Sequence, residues 1–390
     1  MQLRPFNLTS RIACSIVGLL PLVLASPLTV EAVDHLTLRR DGQAVHVSGD
    51  IVGQSPSGEM ALLSADNRMW IVAPDEITSR RRDSQPLAML DHAATAERLL
   101  AEMPEGFRIH RTANYVICYN TTSAYAQWCG ALYERLYRGF FSFWRNQGLE
   151  LVEPEWPLVA LVFDDRASYS QYARPELGDA AGAIIGYYSM RSNRVTMYDL
   201  TGIDGLPQSR ITTTAAHINQ ILSQPAGERT VATIVHEATH QLACNSGLQQ
   251  RFAGVPLWVS EGLAVYFETP DLSNAKGWRG IGEINQVSLA RFQQSLDDRP
   301  DDSLRSLLRE DERLRDPRRA AAAYGEAWAL TWHLFRRHEK EWLAYLEALS
   351  SLRPLEPLSA EQREAQFKAY LGHDLDALDA ELVRTMGKLR

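Results

Sequence analysis

The sequence predicts an α+β protein in which strands come first, strands and helices mix in the middle, and helices close the chain. Three patterns carry this. Residues 34 to 80 hold short β-rich runs (LTLRR, AVHVSGDIV, EMALLSA and RMWIVA) punctuated by the turn pairs Asp41-Gly42, Ser57-Gly58 and Asp66-Asn67. Residues 107 to 245 interleave apolar strand-like runs with amphipathic helical ones. From residue 287 onward apolar residues recur at helical spacing, with Pro354 and Pro357 as breaks.

In chain order, the first 32 residues carry a secretory signal. Arg4 and Arg11 form a basic start, Ile12 to Ala25 is an apolar run of 14 residues, and Val30-Glu31-Ala32 offers a cleavage site after Ala32. That run is short for a membrane span, which needs about 20 residues. The expected localisation is therefore secreted, periplasmic or cell-envelope, with no stable membrane span after cleavage. Residues 33–83 form a small β-rich unit, a barrel or a curled antiparallel sheet, and RRRDSQP (80–86) reads as the linker out of it. The central unit occupies 84–286. It opens with an amphipathic helix at 88–103. Then come a strand in FRIHRTANYVICYN, a long helix carrying Trp128, Leu132, Leu136, Phe140 and Trp144, and the apolar strand PLVALVF. A short helix in DDRASYSQYA follows, and then two strands, AGAIIGYYS and NRVTMYD, paired across Met190 to Asn193. Helices at 210–223 and 227–245 lead to a glycine-bearing loop at 270–286. Residues 287–390 form a helical lobe.

Composition sets limits. With 45% hydrophobic and 9% aromatic residues, the 390-residue chain can bury substantial cores. A net charge of −8 argues against a nucleic-acid partner. Beyond the signal there are three cysteines, Cys118, Cys129 and Cys244. An odd number leaves at least one free thiol, and a Cys118–Cys129 bridge is conceivable. This is not a disulfide scaffold.

The stretch TIVHEATHQL (233–242) concentrates the chemistry. Val231, Ile234, Val235, Ala238 and Leu242 make a helical stripe, and Asn245-Ser246-Gly247 ends it. On such a helix His236 and His240 lie one turn apart on one face, where two imidazoles can grip one metal ion. Glu237 sits beside the first of them, within reach of a metal-bound water as a general base. The alternative is a buried helix with two incidental histidines. A second helix at 256–268, PLWVSEGLAVYFE, supplies Glu261, 21 residues after His240. Its carboxylate completes a His, His, Glu set and leaves one position for water. His217, His333 and His338 read as surface or core histidines.

The pair H-E-x-x-H … W-x-x-E-G-x-A-x-Y-x-E resembles the gluzincin metallopeptidases of the peptidase MA-like clan. WVSEGLAVYFE is similar to the matching helix of the membrane-alanyl-aminopeptidase group. The resemblance implies a zincin-like catalytic domain in which His236, His240 and Glu261 bind zinc and Glu237 is base and proton shuttle. It implies that Glu268 orients a ligand from behind, the alternative being a solvated helix-end residue. AAYGEAWALTWHLF (322–335) resembles the aminopeptidase helix whose opening tyrosine, here Tyr324, donates to the tetrahedral oxyanion; the alternative is a packing tyrosine. In the clan, a strand like AGAIIGYYS borders the cleft and accepts an extended peptide through its backbone. The glycine-and-glutamate exopeptidase signature is absent from this segment, which argues against aminopeptidase specificity. Over residues 100 to 390 the phrases GYYSMRSNRVTMYDL, VHEATHQLACNSGLQQR, VPLWVSEGLAVYFETPD and KGWRGIG resemble a secreted domain-of-unknown-function family of the same clan.

The expectation is a secreted zinc metallopeptidase acting on a peptide or protein substrate. One alternative is a non-enzymatic envelope or matrix binding protein with a structural or vestigial zinc site, in which the β-rich unit does the work. Another is a metal-dependent hydrolase of a non-peptide amide, such as a cell-wall bond.

Overall fold

The computed structural model describes residues 33–202, 214–222, 225–269 and 280–390. The expected signal segment, and residues 270–279 of the glycine-bearing loop, lie outside them. The fold is α+β, with two five-stranded sheets and a helical C-terminal half.

The first sheet is antiparallel. Its strands are β1 (Asp34–Arg40), β2 (Gln43–Gln54), β3 (Met60–Ser64), β4 (Met69–Val72) and β5 (Ile77–Arg82), in the order β4-β3-β2-β1-β5. Asp41 and Gly42 both take positive φ (49° and 75°), the geometry that a two-residue hairpin needs between twisted strands. Leu36, Leu38, Val47, Leu62 and Val72 form its small core. Of the two forms expected, a barrel or a curled antiparallel sheet, the antiparallel sheet is found: the order ends at β4 and β5 without pairing them, so the sheet is open. One expectation is corrected here. The supposed linker begins as strand: Arg80 to Arg82 pair with β1, and Arg80 Nε meets the buried Asp34 carboxylate at 2.7 Å. A basic run looks like solvated linker, but on an edge strand its arginines remain exposed while one neutralises a buried acid.

Helix α1 (His92–Glu102), capped by Asp91, leads into the second sheet. The expected single strand at 107–120 is two strands, β6 (Arg108–Arg111) and β7 (Tyr115–Tyr119). The turn between them is pinned by Glu134, which accepts from Thr112 Oγ1 (2.7 Å) and from Asn114 N and Nδ2 (2.7 and 2.9 Å). Glu134 lies on α2 (Ser123–Asn146), and the sheet continues with β8 (Leu158–Phe163). Helix α3 (Arg166–Leu177) then precedes β9 (Gly186–Ser189) and β10 (Arg194–Tyr198). The order is β6-β7-β8-β10-β9; β7, β8 and β10 run parallel, and β9 is an antiparallel edge.

The remaining elements are α4 (Ala215–Leu222), α5 (Pro225–Asn245), α6 (Leu257–Phe267), α7 (Gln286–Ser295), α8 (Ser303–Arg309), α9 (Glu312–Arg315), α10 (Ala320–Arg337), α11 (Glu339–Ser350), α12 (Ala360–Leu371) and α13 (Leu375–Met386). The two sheets meet at the end of α5. Asn245, legible in the sequence only as a stop signal, exchanges reciprocal amide hydrogen bonds with Asn193 (2.7 and 2.8 Å) and accepts from Asn67 Nδ2 (3.3 Å) and Trp156 Nε1 (3.0 Å). Arg251 donates to Asn67 O and Oδ1 (2.9 and 2.8 Å). Aromatic rings of α2, α6 and α10 (Phe143, Trp144, Phe267, Phe335) interlock beneath the site. Among the described residues no helix is long and apolar enough to cross a membrane.

Candidate metal centre

Helix α5 carries His236, Glu237 and His240, and its buried stripe of Val231, Ile234, Val235, Ala238 and Leu242 turns the polar face to a cavity. Gln241 fixes the helix against the second sheet, donating to Val159 O and Asn193 O (3.0 and 2.8 Å). The imidazole Nε2 atoms of His236 and His240 stand 3.1 Å apart. Glu261, from α6, brings Oε2 to 3.0 Å from His236 Nε2 and 3.6 Å from His240 Nε2. One ligand atom from each of the three lies within 4.8 Å of the others, a grouping that could hold a metal ion.

Glu268, at the end of α6, takes His236 Nδ1 at 2.6 Å, and Asn285 Nδ2 donates to its second oxygen at 3.4 Å. It is therefore not a free helix-end residue: it orients the ring of His236. Glu237 Oε2 accepts the backbone N–H of Tyr188 at 2.8 Å. Tyr188 is on β9, so the edge strand runs beside the two histidines. Tyr324, near the start of α10, lines the same cavity of about 790 Å³.

The electrostatics are those of a buried, mutually dependent group. Burial raises the Glu237 carboxyl above its ordinary value, partly offset by the neighbouring imidazoles. Burial would also raise Glu261, but His240 and His236 pull it well below the usual carboxylate range. Burial opposes charge on His236, and hydrogen bonds to Glu261 and Glu268 outweigh it, so its pKa lies well above the usual value. The phenol of Tyr324 is pushed far up by burial and by the carboxylates of Glu261, Glu237 and Glu268, so it remains a proton donor.

Ser55, Pro56, Ser57 and Glu59, in the turn between β2 and β3, also line the cavity, as do Phe252, Arg315 and the ion-paired Asp311 and Arg363 (2.7 Å). None carried a signal in the sequence: all but Phe252, in the α5–α6 connection, reach the site from distant parts of the chain. The hold on Glu237 is equally silent, since a backbone N–H provides it. Cys244 borders the cavity with its thiol pushed up to about 11 by burial. Cys118, Cys129 and Cys244 are all free thiols, so the conceivable Cys118–Cys129 bridge is not formed. His333 and His338 lie toward the other end of α10. His333 is fully buried, and burial pushes its imidazole down to about 4.

A domain of a family described as a protein of unknown function, DUF1570, is found at residues 230–356. That span contains His236, Glu237, His240, Glu261, Glu268 and Tyr324. No curated protein matches the chain.

Proposed function

We propose that this chain is an exported zinc-dependent metallopeptidase with a zincin-like catalytic unit of the gluzincin type. The observation that carries it is the convergence of His236, His240 and Glu261 from two helices, with Glu237 beside them. Tetrahedral zinc has bonds of roughly 2.0–2.1 Å to nitrogen and oxygen, which puts ligand atoms about 3.3 Å apart. The three separations here, 3.0, 3.1 and 3.6 Å, bracket that length. Two imidazole nitrogens facing each other at this distance suit a shared cation better than a shared proton.

His236, His240 and Glu261 would hold the ion, which when bound supplies Lewis-acid polarisation of a water and of the scissile carbonyl. Glu237 accepts the water's proton and delivers it to the departing amine. Its raised pKa suits both halves of that task. The Tyr188 N–H keeps its carboxylate aimed, and Tyr324 donates to the developing oxyanion. The β9 edge, whose Tyr188 borders the cavity together with Met190 of the following turn, gives an extended peptide a strand to pair with. Glu237 itself argues for catalysis over a purely structural ion, which has no use for a base.

Two measurements on the purified protein decide this. Zinc content is compared with that of Glu261→Ala, and turnover of a peptide library with that of Glu237→Gln. One equivalent of zinc lost in the first variant, and turnover lost with zinc retained in the second, support the proposal. Failure of His236, His240 and Glu261 to retain zinc after incubation sinks it. Zinc binding with a peptide association that is indifferent to Glu237→Gln favours a non-enzymatic binding protein instead.

A further inference from the structure

We propose a second divalent-metal site, formed by His333, His338 and Glu381, that ties the C-terminal helix α13 to α10. It is separate from the centre above and does not rest on that reading: His333 is nine residues along α10 from Tyr324, about 14 Å of helix axis.

The geometry is that of ligands around a missing partner. His333 Nε2 stands 3.7 Å from Glu381 Oε1, and His338 Nε2 stands 3.5 Å from Glu381 Oε2. Both distances are too long for hydrogen bonds. Both are close to the roughly 3.3 Å expected between ligands of one tetrahedral ion. One ligand atom of each residue lies within 4.8 Å of the other two.

The second observation is independent of those distances. His333 is fully buried, and among the described residues neither of its ring nitrogens has a hydrogen-bond partner; the Nε2 atom of His338 has none either. A neutral imidazole carries one donor and one acceptor, and burying both unmet is costly. A cation bound at Nε2 satisfies one of them and uses the carboxylate that hydrogen bonding leaves idle.

The backbone supports the arrangement. His338 ends α10 with φ −135° and ψ 38° and begins α11, which breaks the helical register and swings its ring back toward His333, centroid to centroid 5.7 Å. Access is open, since the side chain of Glu381 is 38% exposed and that of His338 29%. Glu381 also borders a cavity of about 1020 Å³ lined by Arg336, Arg337, Arg384 and Lys388. Two imidazoles and one carboxylate among cationic neighbours disfavour calcium or magnesium, which want several oxygens, and favour zinc or a similar imidazole-binding ion.

Zinc binding to the full chain tests this, using variants at both centres. Glu261→Ala should retain one tight equivalent, and adding Glu381→Gln should weaken that equivalent on the order of tenfold or more. If Glu261→Ala does not fold by circular dichroism, the wild type serves: it should bind two equivalents, and Glu381→Gln or His338→Gln, both at partly exposed positions, should remove one. Cobalt loading gives a second readout, a visible ligand-field band that Glu381→Gln abolishes in the Glu261→Ala background, or diminishes in the wild type. A folded Glu261→Ala protein that binds no zinc, or whose bound zinc is indifferent to Glu381→Gln and His338→Gln, overturns the site.

Discussion

Replacing Gly262 by alanine should destabilise the protein and loosen the metal centre together, although alanine is the better helix former. Gly262 follows Glu261, the proposed metal ligand, on α6 and faces α10. A β-carbon there would lie 2.2 Å from Thr331 Oγ1 and 2.7 Å from the carbonyl oxygen of Ala327. Ordinary contact begins near 3.4 Å. The Thr331 hydroxyl belongs to a side chain, but the Ala327 carbonyl is helix backbone and cannot rotate away. The two helices must therefore separate by roughly half an ångström or more. Overpacking of this kind costs about 1–3 kcal/mol, against about 1 kcal/mol gained from helix propensity. The net expectation is a loss of up to about 2 kcal/mol in urea denaturation. Because α10 carries Tyr324 and α6 carries Glu261, the same separation should cut turnover, since misplacements near 1 Å can cost about a hundredfold. Adding Thr331→Ala removes the shorter contact and should return part of the stability, at little cost of its own because the Thr331 hydroxyl has no hydrogen-bond partner among the described residues. A Gly262→Ala protein as stable as the wild type, or more so, would refute the close-packing argument.

Three further outcomes are expected. Glu326 is buried and accepts from Arg299 (2.6 Å), Arg313 (2.5 Å) and Ser303; Glu326→Gln should lower unfolding free energy by about 1–3 kcal/mol, because it weakens charge-assisted hydrogen bonds while Arg299 keeps Asp379 and Arg313 keeps Ser303 O and Ser306 Oγ. Tyr324→Phe should lower kcat by about 100-fold or more while KM changes little, if its hydroxyl meets the oxyanion; equal kcat values would remove it from the chemistry. Burial pushes the thiols of Cys118 and Cys244 up to about 12 and about 11, and that of Cys129 well above its usual value. Iodoacetamide at pH 8 should therefore leave all three unlabelled in the native protein and label them on unfolding without prior reduction. A mass pair showing Cys118 joined to Cys129 would contradict the free thiols of the fold.

The fold class was legible because strand and helix periods separate cleanly along this chain. The H-E-x-x-H set was legible because one helical turn carries both histidines. Glu261 was reached as a carboxylate on the next apolar helix, and Tyr324 only through resemblance to a known helix, since no local rule joins it to residue 236 across 88 positions. What stayed hidden was relational. Strand β5 ends in three arginines, one of which, Arg80, pairs with the buried Asp34. The split of β6 from β7 depends on a glutamate on the following helix. Tyr188 meets Glu237 through its amide, which every residue but proline has. His333 looked like an ordinary core histidine because its idle nitrogens are visible only once its neighbours are in place.

The meeting of the sheets at Asn245 bears on how this protein can be dissected. A fragment cut to the matched span, residues 230–356, would keep His236, Glu237, His240, Glu261 and Tyr324. It would also start inside α5, take the Tyr188 amide from Glu237, and leave Asn245 and Arg251 without Asn67 and Asn193. Helices α12 and α13 would go with it, baring Trp258, which stacks on Trp342 and packs against Phe367. The proposed ligands are thus local in sequence while the unit that holds them is not. A piece intended to fold and bind metal on its own has to begin at the first sheet and run through α13.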